Sequence, residues 1–149
     1  MLMRFLRSAG SDDAGGSAGP MPAPHRPLRV LLVDDHLMAR CNTRKQLDEI
    51  PRLRVIGEAA DGFEAVALAR TLAPDLVVMD VTMPGMNGIE ATRRIKEQFP
   101  WMRVLILTFH EPAEVREEAL AAGAAAVLGK GESTQELAVA IQELFKPWD

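Results

Sequence analysis

Five polar residues have the types that phosphoryl chemistry uses: Asp34, Asp35, Asp80, Thr108 and Lys130. Each stands at or just past the end of a short apolar run. A single acid in such a place is usually a turn former or a helix cap, and Asp34 or Asp35 alone suits the cap of a helix beginning near Leu37. Three converging carboxylates are different, because like charges repel and one is driven to protonate unless a cation joins them. A hard divalent ion with oxygen ligands, most naturally Mg²⁺, removes that conflict. Lys130 adds a second positive charge. In that setting Asp80 can attack a phosphoryl group and form an aspartyl phosphate. The metal and Lys130 would offset charge on the transferring oxygens, and the Thr108 hydroxyl could donate to one of them.

Convergence depends on the elements between these residues. From Leu28 onward, short apolar runs alternate with amphipathic segments. The runs are Leu28–Val33, Leu53–Glu58, Leu76–Met79, Val104–Leu107 and Ala124–Leu128. Helical stretches are expected near 37–49, 62–72, 88–99, 112–122 and 134–145. In the last, Leu137, Ile141, Leu144 and Phe145 share one helical face. Ser133 to Glu136 reads as a capping box, and Asp61/Glu64 and Asn87/Glu90 have the same spacing. Pro51, Pro74 and Pro100 stop the helices they follow, Pro112 suits a first helical turn, and Gly123 suits a helix C-terminus. Five β-α units with short connections predict a parallel sheet covered by helices on both faces. Ligands in such sheets bind outside the carboxyl ends of the strands, where these five residues fall.

Composition removes several function classes. The formal net charge of the chain is −4, with +1 on residues 1–27 and −5 on the rest. An acidic domain is a poor partner for nucleic acid, whose affinity comes from clustered Lys and Arg. The single cysteine, Cys41, excludes an internal disulfide, fits a cytoplasmic location and is expected to face inward from its helix. No apolar run is long enough to span a bilayer. Residues 8–27 are rich in Gly, Ser, Ala and Pro, so residues 1–27 are expected to be a disordered tail and 28–149 the folded domain.

Asp34-Asp35, Asp80 followed by "MPGMNG", Thr108 and Lys130 resemble the receiver domain of bacterial two-component response regulators. The likeness covers about residues 28–146, and its five polar residues fall at the proper strand ends in order. The phrases "VLLVDDH", "GEAADGFEAVALA", "MDVTMPGMNGIEATRRIK" and "ALAAGAAAVLGK" are similar to the NarL/FixJ subgroup, which usually carries a LuxR-type helix-turn-helix output. The resemblance implies a flavodoxin-like (βα)5 sandwich with strand order 2-1-3-4-5. It implies Asp80 as phosphoacceptor, with Asp35, Asp80 and the Thr82 backbone carbonyl on Mg²⁺ and Asp34 holding the ion through water. Thr108 would be the switch hydroxyl and Lys130 the partner of the phosphoryl group. The donor would be a sensor histidine kinase. The domain would not be an enzyme in the ordinary sense, although it would assist its own phosphotransfer and dephosphorylation. Output would pass to a downstream protein through the face of helix four, strand five and helix five, with the chain a monomer or a phosphorylation-dependent homodimer.

Several positions depart from that pattern. Val127 stands where relatives have the switch Tyr or Phe, Gly131 where many have Pro, and Leu37 where the subgroup often has Pro. Phe109 follows Thr108 where many relatives have a smaller residue, and it is expected to pack against the fourth helix. Thr82 and His110 lie where the family tunes phosphate lifetime, with His110 expected to be solvated. The chain ends just past the fifth helix, so the expectation is a stand-alone receiver, or else the receiver part of a longer DNA-binding regulator. Glu114–Leu120 and the segment Phe145 to Trp148 are the candidate contact surfaces. A receiver-like scaffold that has lost the switch is the competing class, supported by Val127. A flavin or nucleotide enzyme of the same fold would need a Ser/Thr/Gly-rich phosphate loop after strand one, where this chain has Asp34-Asp35-His36.

Overall fold

A computed structural model describes residues 26–146. The expectations for residues 1–25, and for Trp148, lie outside them. Strands β1 (Leu28–Val33), β2 (Leu53–Ala59), β3 (Leu76–Asp80), β4 (Arg103–Thr108) and β5 (Ala126–Gly129) alternate with helices α1 (Leu37–Asp48), α2 (Gly62–Leu72), α3 (Gly88–Gln98), α4 (Pro112–Ala121) and α5 (Thr134–Leu144). All pairings are parallel and the sheet order is β2-β1-β3-β4-β5. This is the doubly wound, flavodoxin-like order expected of the sequence. β3, the central strand of the sheet, is buried at every position, which a parallel strand covered on both faces requires.

Alternation along each strand splits the core in two. Leu31, Val33, Val77, Met79, Val104, Ile106 and Val127 pack on the side of α2, α3 and α4. Val30, Leu32, Leu76, Val78, Leu105 and Leu107 pack on the side of α1 and α5, with Leu47, Leu137, Ile141 and Phe145. A β-bulge between Val30 and Leu31 shifts the β1–β2 register by one residue.

The helix boundaries follow local chemistry. Ser133 and Glu136 make a complete capping box. Asp61 and Asn87 cap α2 and α3 by accepting from the N–H groups of Glu64 and Glu90. Neither completes the reciprocal arm: the Glu64 carboxylate accepts from Ala60 N–H, and Glu90 turns to Arg93 and Arg94. Pro112 sits in the first turn of α4. Gly123, at φ 109°, ends that helix in a conformation that side chains disfavour.

Four expectations change. The cap of α1 is neither Asp34 nor Asp35 but His36, whose Nδ1 accepts from Ala39 N–H. Both acids are thereby left for the strand edge. Cys41 is exposed, because it falls on the outer face of α1, away from Ala39, Thr43 and Leu47. Phe145 is fully buried and carries the Arg103 guanidinium 4.6 Å from its ring centre, so it is core and not a contact surface. Phe109 does not pack on α4: it is 75% exposed.

Candidate functional site

The side-chain period of two brings the charged residues together. Leu32, Val78 and Leu128 all point to the α1/α5 side of the sheet. Asp34, Asp80 and Lys130 each come two residues later, so the same alternation aims them at a common point past the strand ends. Lys130 Nζ lies 2.6 Å from Asp34 Oδ2 and 3.1 Å from Asp80 Oδ1. Thr108 has the opposite parity, following Ile106, and approaches from the α4 side. Its hydroxyl is buried and accepts from His110 N–H at 3.0 Å.

Asp80 is the last residue of β3 and is buried, with 7% exposure. Burial pushes its carboxyl above the ordinary value, Lys130 opposes that shift, and Asp34 and Asp35 add to it. Asp34 is also buried, and both of its oxygens are engaged: Oδ1 accepts from His36 N–H at 2.9 Å and Oδ2 from Lys130. Asp35 is exposed. One carboxylate oxygen from each of Asp34, Asp35 and Asp80 falls within a 4.8 Å cluster. The donor set is all oxygen, and three carboxylates against one ammonium leave an excess of negative charge. Both properties fit a hard divalent cation such as Mg²⁺.

Asp35, His36, Asp80, Thr82, Phe109, His110 and Lys130 line one open pocket of about 260 Å³. The Asp80 edge is held in place by α3. A Cβ on Gly88 would lie 1.8 Å from the Asp80 carbonyl oxygen, so only glycine lets the helix begin this close to the strand end. Gly88 N–H donates to Val81 O, and its carbonyl accepts from Thr92 Oγ1 at 2.7 Å.

All the acids expected at the site are brought together, with Lys130 on Asp34 and Asp80, Thr82 in the same pocket, and Thr108 joined to that pocket through His110 N–H. Three further contacts were not visible in the sequence. Arg40 Nη1 donates to the Asp34 carbonyl at 2.6 Å while its Nε bonds Glu58. His110 is exposed yet bonded, with Nε2 2.9 Å from Thr82 Oγ1. The Phe109 ring lies over Lys130. For Arg40, a charged residue one helical turn into α1 opposite an acid on β2 was the available signal.

The family described as the response regulator receiver domain matches residues 30–142. Over 118 residues the chain is 41% identical to Response regulator UvrY of Escherichia coli K12, which covers 79% of this chain and 54% of that protein. It is 39% identical to Response regulator GacA of Pseudomonas aeruginosa over the same length, 79% of this chain and 55% of that protein. The chain thus spans about half the length of these relatives. A LuxR-family two-component response regulator from Aurantimonas sp. SI85-9A1 superposes with a TM-score of 0.77 at 40% identity, covering 81% of this chain and 86% of that one. The receiver domain of the putative response regulator NarL from Mycobacterium tuberculosis gives 0.76 at 30% identity, covering 81% and 98%. Aspartate phosphorylation by sensor histidine kinases and Mg²⁺ binding at an acidic pocket are general properties of such domains. Among the described residues no helix is long and apolar enough to cross a membrane. The parallel sheet order, the acid cluster at its carboxyl edge and the family match over residues 30–142 agree: this chain belongs to the response regulator receiver family.

Proposed function

We propose that Asp80 is the phosphoacceptor of a signalling switch, charged by a phosphohistidine of a sensor kinase and read by another protein. The observation that carries this reading is the Lys130 ammonium held between Asp34 and Asp80, at 2.6 and 3.1 Å, at the rim of an open pocket. An Asp80 carboxylate oxygen attacks phosphorus as the phosphorus–nitrogen bond to the donor imidazole breaks, and the imidazole leaves with the bonding pair. Lys130 follows the new negative charge from the carboxylate to the phosphoryl oxygens. Thr108 turns its hydroxyl hydrogen to one of those oxygens. Asp35, Asp80 and the Thr82 carbonyl would hold Mg²⁺, with Asp34, whose oxygens accept from His36 N–H and Lys130, assisting. When bound, that ion supplies charge compensation on the phosphoryl oxygens.

The added charge, about −1.5 to −2, biases a two-state surface. Output through α4, β5 and α5 is supported by Thr108 and Lys130, which end β4 and follow β5 on either side of that face. Val127 is buried there and β5 (AVLG) has no ring to swing outward, so the output would rest on Thr108 and Lys130 themselves. A second reading, the receiver part of a longer DNA-binding regulator, is favoured by relatives of which the matched region is only 54–55%. The chemistry at Asp80 is the same in both.

Intact mass after incubation with Mg²⁺ and acetyl phosphate tests the reading. One added phosphoryl group, absent from Asp80→Asn, is expected. A phosphoryl group retained by Asp80→Asn would place the acceptor elsewhere, and none from any donor, including a phosphorylated kinase domain, would favour the scaffold reading instead.

A further inference from the structure

Phe109 is the one apolar residue among those lining the pocket, and it belongs to neither core cluster. A phenyl ring that is 75% exposed has given up burial, so its position needs a local cause. Lys130 supplies it: its Nζ lies 4.5 Å from the ring centre. Lys130 itself is nearly enclosed, its side chain only 5% exposed, although it sits in the lining of an open pocket. An ammonium has three donors. Asp34 and Asp80 engage it at 2.6 and 3.1 Å, and the ring, which lines the same pocket, is a third neighbour.

We infer that Phe109 is a positioning residue for Lys130, whose aromatic face caps the ammonium by a cation–π contact and keeps it dry on the two carboxylates. The face of an aromatic ring is electron-rich and attracts a desolvated cation, whereas an aliphatic side chain of similar bulk only excludes water. The capped ammonium then keeps its orientation without a third polar partner, and the ring can slide aside when Lys130 moves, since nothing else anchors it. The consequence for phosphotransfer rests on the proposed role of Lys130; the cap itself does not.

Amine labelling separates the two. Lys45, Lys96, Lys130 and Lys146 are the only lysines, so brief acetylation followed by peptide mapping resolves each. Lys146 is an exposed reference, at 67% side-chain exposure. Lys96, bonded to the carbonyls of Pro100 and Met102, reports whether the fold is intact. The full chain is labelled without Mg²⁺ or phosphodonor as wild type, Phe109→Trp, Phe109→Leu and Phe109→Ala. Lys130 is expected to be protected in the wild type and Phe109→Trp. Its labelling relative to Lys146 should rise on the order of tenfold in Phe109→Ala, and clearly in Phe109→Leu, with Lys96 unchanged. Unchanged Lys130 labelling in Phe109→Ala would overturn the cap. Full protection in Phe109→Leu would overturn the cation–π contact and leave bulk alone. Because no phosphoryl group is used, failure of the phosphoacceptor reading leaves this result intact.

Discussion

His110 joins the ends of β3 and β4: its Nε2 lies 2.9 Å from Thr82 Oγ1, and its backbone N–H donates to Thr108 Oγ1. Both side chains line the same pocket as Asp80, so the bridge is placed to affect water access to that carboxylate. Thr82→Val keeps the shape and removes the hydroxyl. The phosphorylated form is expected to decay about threefold faster, the size of one modest hydrogen bond. Decay of the phosphorylated mass over time measures this, and an unchanged rate would show that the bridge does not govern access.

Arg40 fixes the loop that carries the two leading acids. Its guanidinium spans from the Asp34 carbonyl to Glu58, and Glu58 also accepts from Arg44. Groups that orient metal ligands without touching the metal still affect affinity. Arg40→Gln is expected to weaken Mg²⁺ binding by about tenfold while thermal stability falls only modestly. Titration calorimetry with Mg²⁺ gives the first quantity and a melting curve the second.

The Asp80 carboxyl is raised above its ordinary value of 3.8, chiefly by burial. An acid with a raised folded-state pKa favours the fold at low pH, and that contribution is lost as pH rises through the folded value. Wild type and Asp80→Asn should therefore be alike below pH 3.8, and Asp80→Asn the more stable at pH 7 without divalent ion. Mg²⁺ should oppose that difference, adding about 1.4 kcal/mol to the wild type at ten times its dissociation constant. Urea unfolding at the two pH values, with and without Mg²⁺, checks both signs.

Gly88 has no room for a methyl group against the Asp80 carbonyl. Gly88→Ala must push α3 off the strand end or open the loop between them. A loss of about 3 kcal/mol or more is expected, at the top of the range for overpacking. Phosphoryl uptake should fall with it even at temperatures where the variant stays folded. A variant with wild-type stability and uptake would show that the loop yields freely.

The layered fold was legible because it rests on short-range signals. Apolar runs, proline stops and caps at Asp61, Asn87 and Ser133 each fall within a few residues. Strand ends moved by one or two positions, as at β5, which begins at Ala126 and not Ala124. Asp34, Asp35, Asp80, Thr108 and Lys130 were legible because strand ends share an edge. What escaped was set across the chain. Phe109 looked like core because a ring usually is, and only the placement of Lys130 gives it a reason to stay outside. His36 took the cap that an Asp was expected to fill, since Asp34 turns inward to Lys130.

The Asp34–Lys130 pair closes over 96 positions of sequence. During synthesis, a chain that has emerged only through β4 already carries Asp34, Asp35 and Asp80, but no ammonium to stand between them. Such an intermediate has the repulsion of the site without its compensation. The carboxyl edge of the sheet can settle only once β5 arrives with Lys130. Without a bound cation, an unfinished or C-terminally trimmed chain therefore keeps its carboxylate repulsion unopposed at this edge.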